Sequence, residues 1–309
     1  MRETGAGEEI PWDLLARIPS VRDTAFEVVA LPGGLTNRNY RLTGSTLDVV
    51  VRVSDPTTSL LAVDRQAEYD NSVIAAAVGV GAPVVDYLPG AGVLVVGYVP
   101  SRTYTEADVA AHLPEVARAV RRLHAATPFT NRFDFFALHE HYLRIMEEHE
   151  FAMPPGYLAL EPNAVRMRAA FGASPQPLVS CHNDLLAANF LDDGQRVRII
   201  DYEYSGRNEA CFELGNIAQE SHLGPDALSE LVFAYLERDD AETQAWIARA
   251  QLWSIMTAFG WTLWGTIQHG ASDLDEDFWG WAMEKYDRAR EALARPEFDR
   301  LLDQVGGTP

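Results

Sequence analysis

Lysine is almost absent from this sequence: Lys285 is the only one. Any cationic group that the N-terminal part offers to an anion must therefore be an arginine. Cysteine is nearly as scarce. Cys181 and Cys211 are the only two, too few for the disulfide framework of a secreted domain, so reduced thiols and a cytoplasmic location are expected. Long apolar runs are missing as well. The stretch 73–99 is broken by Gly79, Gly81, Pro83, Asp86, Pro89 and Gly90, so insertion into a bilayer is not expected. The N-terminus, MRETGAGEEIPWD, is acidic and lacks the apolar core of a signal peptide. Basic charge is outweighed: 25 Lys and Arg face 45 Asp and Glu, giving a formal net charge of −20. A nucleic-acid partner is excluded on that balance. There is no internal repeat, no low-complexity tail and no signal for oligomeric state. The histidines show no metal-ligand spacing, and His139 and His141 read as residues of a solvated helix.

What is present centres on residues 178–204, LVSCHNDLLAANFLDDGQRVRIIDYEY. His182-Asn183-Asp184 is followed five residues later by Asn189, and Asp201 ends an apolar run. This is the H-x-D-x-x-x-x-N and strand-then-Asp pattern of kinase-like phosphotransferases. A hydroxyl attacking the terminal phosphoryl group of ATP needs a proton acceptor, and Asp184 is the candidate. The triphosphate charge calls for Mg²⁺, a hard cation that prefers oxygen ligands. Asn189 supplies an amide oxygen and Asp201 a carboxylate. Asn189 to Leu191 and Arg196 to Ile200 read as strands flanking the turn 192–195, which would bring Asn189 and Asp201 to one end of a hairpin. Each of the three alone would be an ordinary turn residue. Together, at this spacing, they point to a site.

The rest of the chain divides by pattern. A short helix is expected around Trp12 to Ile18 and strands over Phe26 to Leu31, Asn39 to Leu42, Leu47 to Val53, Val84 to Leu88 and Val93 to Val99. A helix from Leu60 to Ala77 falls among them. Pro32-Gly33-Gly34-Leu35-Thr36-Asn37 is a glycine turn that either exposes N–H groups to phosphate or merely closes a hairpin. Arg52 is the one charge on a buried-type strand, where a kinase places its phosphate-binding lysine. Glu68 is its candidate partner, with Asp64 and Asp70 competing. These elements make a small α+β lobe, 1–98, ending at a hinge around Tyr98. From 99 to 309 the pattern is helical: Glu106 to Ala126, Phe135 to Phe151, Asn163 to Phe171 after an interruption at Pro154-Pro155-Gly156 and Glu161-Pro162, Glu209 to His222, Ala227 to Glu237, Thr243 to His269, and a last helix from Asp277 to Leu293.

Trp253, Thr257, Trp261, Trp264 and Gln268 share one face of the long helix, and Trp279 and Trp281 follow. Such a stripe is usually core. It also suits a quaternary ammonium, which cannot donate a hydrogen bond and relies on ring faces.

On these motifs the chain resembles the choline/ethanolamine kinase family, within the aminoglycoside-phosphotransferase branch of kinase-like folds, from about Leu31 to Leu293. GGLTN (33–37) looks like the nucleotide loop, with Gly33, Gly34, Thr36 and Asn37 at ATP. VVVRV (49–53) carries an arginine in place of lysine, and the run from Tyr98 to Arg102 is similar to the hinge beside the adenine. HNDLLAANF (182–190) and IIDYEY (199–204) match the catalytic and metal motifs. CFELGNIAQE (211–220) looks like the segment bringing acids to the substrate, and Trp261-Thr262-Leu263-Trp264 resembles the choline-box pair. Trp281 falls where a further box aromatic is expected.

The resemblance implies a two-lobed protein-kinase-like α+β fold, with a small antiparallel-sheet lobe and a larger helical one. It implies ATP and Mg²⁺, with Asp184 as base, Asn189 and Asp201 on the metal, and Arg52 with Glu68 on the phosphates. Glu220, Trp261, Trp264 and Trp281 would surround the ammonium of choline. Glu203 and Glu213 are read as supporting acids and His182 as a brace for the catalytic loop. Ethanolamine, another amino alcohol or an aminoglycoside is the alternative acceptor, and a non-catalytic ligand-binding pseudokinase the second alternative. The intact Asp184, Asn189 and Asp201 argue against the latter.

Overall fold

The computed structural model describes residues 10–32, 34, 37–54 and 60–307. Helix α1 (Trp12–Leu15) and the turns after it cover one face of a sheet built from β1 (Glu27–Leu31), β2 (Asn37–Thr43) and β3 (Asp48–Ser54), followed, after helix α2 (Arg65–Ala77), by β4 (Val84–Leu88) and β5 (Val93–Gly97). The strand order is β1-β2-β3-β5-β4, all neighbours antiparallel. Side chains alternate along a strand. Val49 and Val51 of β3 and Val93 and Val95 of β5 therefore join Leu15, Ile18 and Val28 in a core on one face. Val50, Arg52, Leu94 and Val96 line a cavity on the other. The alternation of β3 is what aims its one arginine at the site.

α2 starts later than the apolar pattern suggests. Asp64 is its N-cap, accepting from the N–H groups of Gln66 and Ala67, which satisfies donors that the first turn leaves free. Asp70 accepts from Gln66 on the outer side. Both competitors of Glu68 are thus used elsewhere.

The helical part begins with β6 (Arg102–Thr103), α3 (Glu106–Ala111) and α4 (Leu113–His124). One helix was expected over 106–126. It is split at His112, and Pro114 falls in the first turn of α4, where its missing N–H is harmless. α5 (Phe135–Glu148) is followed by α6 (Tyr157–Ala173), which runs through the expected break at Pro162. The carbonyl that Pro162 cannot serve belongs to Leu158, a residue that is 60% exposed, on the solvent side of the helix.

Next come β7 (Leu178–Cys181), β8 (Phe190–Asp192), β9 (Val197–Ile199) and β10 (Gly206–Glu209), then α7 (Ala210–Glu220), α8 (Pro225–Leu236), α9 (Ala241–Ala271), α10 (Phe278–Leu293) and α11 (Pro296–Gly306). The sequence pattern made α10 the last helix, but α11 follows it. α11 packs Phe298, Leu302 and Val305 into the same core as α6 and α9. His139 also departs from its reading as a surface residue. It is buried, with Nε2 2.9 Å from the Tyr157 hydroxyl. No helix among the described residues is long and apolar enough to cross a membrane.

Candidate active site

A cavity of about 660 Å³ lies between the sheet and the helical part. Its walls gather residues from far apart in sequence. Gly34, Arg52 and Tyr98 come from the sheet side, Asp184, Asn189 and Asp201 from the central loops, and Glu220, Trp261, Trp264 and Trp281 from the helices. Of the remaining site residues expected from the sequence, Glu68 and Asn37 are buried beside Arg52 rather than in the main cavity. Gly33 and Thr36 lie outside the described residues.

The hairpin sets the spacing of the central loops. β8 and β9 pair with Phe190 opposite Ile199, and the Ile200 N–H donates to the Asn189 carbonyl at 3.0 Å. Asn189 therefore sits across from the residue before Asp201. It closes a short 3₁₀ turn, Ala187–Asn189, instead of starting the strand. Its side-chain Nδ2 donates to the Asp184 carbonyl at 2.8 Å. That bond occupies the amide nitrogen, so the oxygen is the atom it leaves for a cation.

The backbone around Asp184 is held from four directions. The His182 N–H meets both oxygens of Glu213 at 3.0 and 2.9 Å, and Leu185 N–H donates to Asn216 Oδ1 at 2.9 Å. His182 Nε2 lies 2.8 Å from the Ile200 carbonyl, tying this loop to the strand before Asp201. Asn183, at φ 70°, donates to the carbonyls of Tyr204 and Gly206 at 3.0 and 3.2 Å. Asparagine tolerates this left-handed backbone better than most residues. Asp201 is also left-handed, at φ 71°. Glu213 and His182 thus have the supporting roles expected of them. Burial pushes the Glu213 carboxyl up, but His124 and the His182 N–H outweigh it and hold it below its ordinary value. His124, Cys181 and Glu213 cluster here, although nothing in their spacing announces it. Burial and neighbouring Glu213 keep the Cys181 thiol protonated, so the cluster reads as a hydrogen-bonded brace under the loop.

Arg52 has a partner that sequence reasoning missed. Nη1 is 3.3 Å from Glu68 Oε1, as expected, and Nη2 donates to Asp201 Oδ1. Arg65 is a second missed cation. Its Nη1 reaches Glu68 Oε2 at 2.8 Å and Glu203 Oε2 at 3.2 Å. Asn37 Nδ2 donates to Glu203 Oε2 at 3.1 Å, so this side chain of the glycine turn is directed to the acid rather than into the cavity. Burial disfavours the Arg52 charge, but Asp201 and Glu68 more than offset it and raise its pKa. Glu203 is pushed up to about 7, first by burial and then by Asp201 and Glu68. The signal for Arg65 was its place three residues before Glu68 on one helix face.

Asp184 makes no ion pair among the described residues. Burial, then the charges of Glu220, Glu203 and Asp201, raise its pKa well above the carboxylate range, with Lys285 opposing.

The tryptophan stripe splits in two. Trp264 meets Trp281 edge-on at 5.1 Å and 62°, and Trp261 packs edge-on against Tyr204 at 5.2 Å. Both face the cavity. Trp253 instead stacks on Phe171 at 4.0 Å and donates to Glu209, deep in the core. α9 and α10 approach closely because residue 265 is glycine: a Cβ there would lie 2.7 Å from Trp281 Cε3. One further residue at this wall, Lys285, binds Glu220 at 2.6 Å.

The model of one family, choline/ethanolamine kinase, matches residues 28–289. The chain belongs to the choline/ethanolamine kinase family. It is a phosphotransferase with an alcohol acceptor, of the two-lobed kinase-like fold. It is similar to a choline/ethanolamine kinase family protein of Mesorhizobium loti, with 30% identity, a TM-score of 0.82, and 96% of this chain and 97% of that one covered. The protein LicA of Haemophilus influenzae is 27% identical over 278 residues, 84% of this chain and 78% of that protein. The choline kinase LicA of Streptococcus pneumoniae shares the fold at 22% identity, with a TM-score of 0.76 over 91% of this chain and 96% of that one. Arg65 and Lys285 are cations at this site that the sequence motifs did not point to.

Proposed function

We propose that the protein transfers the γ-phosphoryl group of ATP to the hydroxyl of choline, giving phosphocholine and ADP, with Mg²⁺ required. The observation that supports this reading is the shared cavity: Asp184 lines it together with Asn189, Asp201 and Arg52 and with Glu220 and three tryptophans. The first group suits a triphosphate and its metal, the second an organic cation.

Asn189 and Asp201 would hold Mg²⁺. They are hard oxygen donors, and the Asn189 amide is already turned so that its oxygen is the available atom. When bound, the ion supplies charge neutralisation on the phosphates. Arg52, oriented by Glu68 and Asp201, offers a fixed cation to the phosphate oxygens. Tyr98, whose ring carries the Arg41 guanidinium at 3.5 Å, borders the adenine end. Asp184 takes the proton of the acceptor hydroxyl as its oxygen bonds to the γ-phosphorus, and the bond to the β–γ bridging oxygen breaks with its electron pair leaving on ADP. A raised pKa makes Asp184 a better proton acceptor once it is ionised.

Trp261, Trp264 and Trp281 favour a trimethylammonium over a polyamine, which would require many carboxylates. The test is kcat/KM with ATP and Mg²⁺ for choline, ethanolamine, dimethylethanolamine and one aminoglycoside. Preference for choline supports the reading. Preference for the aminoglycoside, or turnover of none, overturns it.

A further inference from the structure

The chain's single lysine ends at the acceptor wall. Lys285 Nζ donates to Glu220 Oε2 at 2.6 Å and to Gln219 Oε1 at 3.3 Å, and lies 4.2 Å from the centroid of the Trp281 ring. An ammonium has three donors. A carboxylate, an amide oxygen and a ring face account for all three. Lys285 is 3% exposed. Glu220 and Trp281 line the cavity, while Lys285 stands outside its lining. Two of the four groups assigned to the acceptor's cation are thus already engaged by a cation of the protein itself.

This pairing changes what the wall offers. The charge of Glu220 is largely cancelled at close range, and one of its oxygens is occupied. A primary ammonium brought here has N–H groups to satisfy, and each one left unpaired in a buried site is costly. A trimethylammonium has no N–H to satisfy. It needs ring faces, and Trp261 and Trp264 still supply them.

We infer that Lys285 is a specificity-determining residue which, by holding Glu220 and Trp281, selects a methylated ammonium over a primary one. The inference rests on the acceptor reading above and deepens it. Lys285 touches no substrate; it acts through Glu220 and Trp281 as a positioning residue.

The experiment measures KM and kcat for choline, dimethylethanolamine, monomethylethanolamine and ethanolamine at saturating ATP and Mg²⁺, in the wild type and in Lys285→Met. The wild type is expected to show KM rising with each methyl removed. Lys285→Met frees Glu220, so the choline-to-ethanolamine ratio of kcat/KM should fall by about tenfold or more. That fall should come through a lower KM for ethanolamine, with KM for ATP unchanged. A Lys285→Met variant that alters both acceptors alike would reduce the lysine to a structural role and overturn the inference. If the variant does not fold, the wild-type series decides: a KM that ignores methylation overturns the inference while leaving the phosphotransfer reading intact. Turnover of no member of the series overturns the acceptor reading, and this inference with it.

Discussion

Arg52 donates to Asp201 across 149 residues of sequence. The bond ties a strand of the N-terminal sheet to the acid at the end of the central hairpin. The guanidinium also holds Glu68, so one largely buried cation links two carboxylates. Arg52→Met should raise KM for ATP at least about tenfold while leaving KM for choline near wild type. It should also lower the melting temperature, because it leaves Glu68 without one of its two cations. Equal increases in both Michaelis constants would show that Arg52 organises the whole cleft instead of the nucleotide end.

Asp184 is the proposed base. Asp184→Asn should lower kcat by about 10²–10⁴-fold with little change in KM for ATP. Since burial and three neighbouring carboxylates penalise its charge, the variant should be at least as heat-stable as the wild type. A turnover near wild type would remove Asp184 from the chemistry.

The free protein should lose stability as pH rises through the range set by Glu203. Its carboxyl is raised from 4.5 to about 7 in the fold, by burial and by Asp201 and Glu68. A group raised in this way favours the fold when protonated. Its contribution is full below the unfolded value near 4.5, declines between 4.5 and about 7, and is gone above that. Glu203→Gln should flatten this part of the melting-temperature profile. A slope unchanged by the substitution would assign the titration to another group.

The two ends of the tryptophan stripe should respond differently. Trp264→Ala should raise KM for choline far more than for ATP. Trp253→Ala should leave both constants alone and cost about 3–5 kcal/mol of stability, as expected for an aromatic removed from a packed core. Its stacking on Phe171 places it there. Denaturant melts and acceptor titrations of the two variants separate the roles.

Gly265→Ala tests the box without touching a ring. The added methyl would fall 2.7 Å from Trp281 Cε3 and 2.9 Å from Ala282 Cβ. Either α10 or the ring must move, at a cost of about 1–3 kcal/mol. KM for choline should rise and KM for ATP should not.

Much of this site was legible because its chemistry is local in sequence. Asp184, Asn189 and Asp201 lie within 18 residues, and a hairpin turn between them reveals that they meet. The tryptophan pair at Trp261 and Trp264 is visible for the same reason. Lys285 was not legible: it is a single charge on an ordinary helix, and only tertiary packing shows that it faces a buried acid. Arg65 was legible only towards Glu68, three residues on; its contact with Glu203 is tertiary. Helical periodicity also cannot tell cavity from core, so Trp253 and Trp261 look alike until their neighbours are known. The continuation of α6 past Pro162 goes with a Leu158 on the exposed side of the helix, and the burial of His139 with a hydroxyl from another helix. Neither is written in the local pattern.

The central claim is tested most directly by following the reaction of the protein with ATP, Mg²⁺ and choline by ³¹P NMR. The account predicts a phosphomonoester resonance of phosphocholine growing in step with ADP, and its absence in Asp184→Asn. Release of inorganic phosphate alone, or no change in the spectrum of ATP, would contradict it.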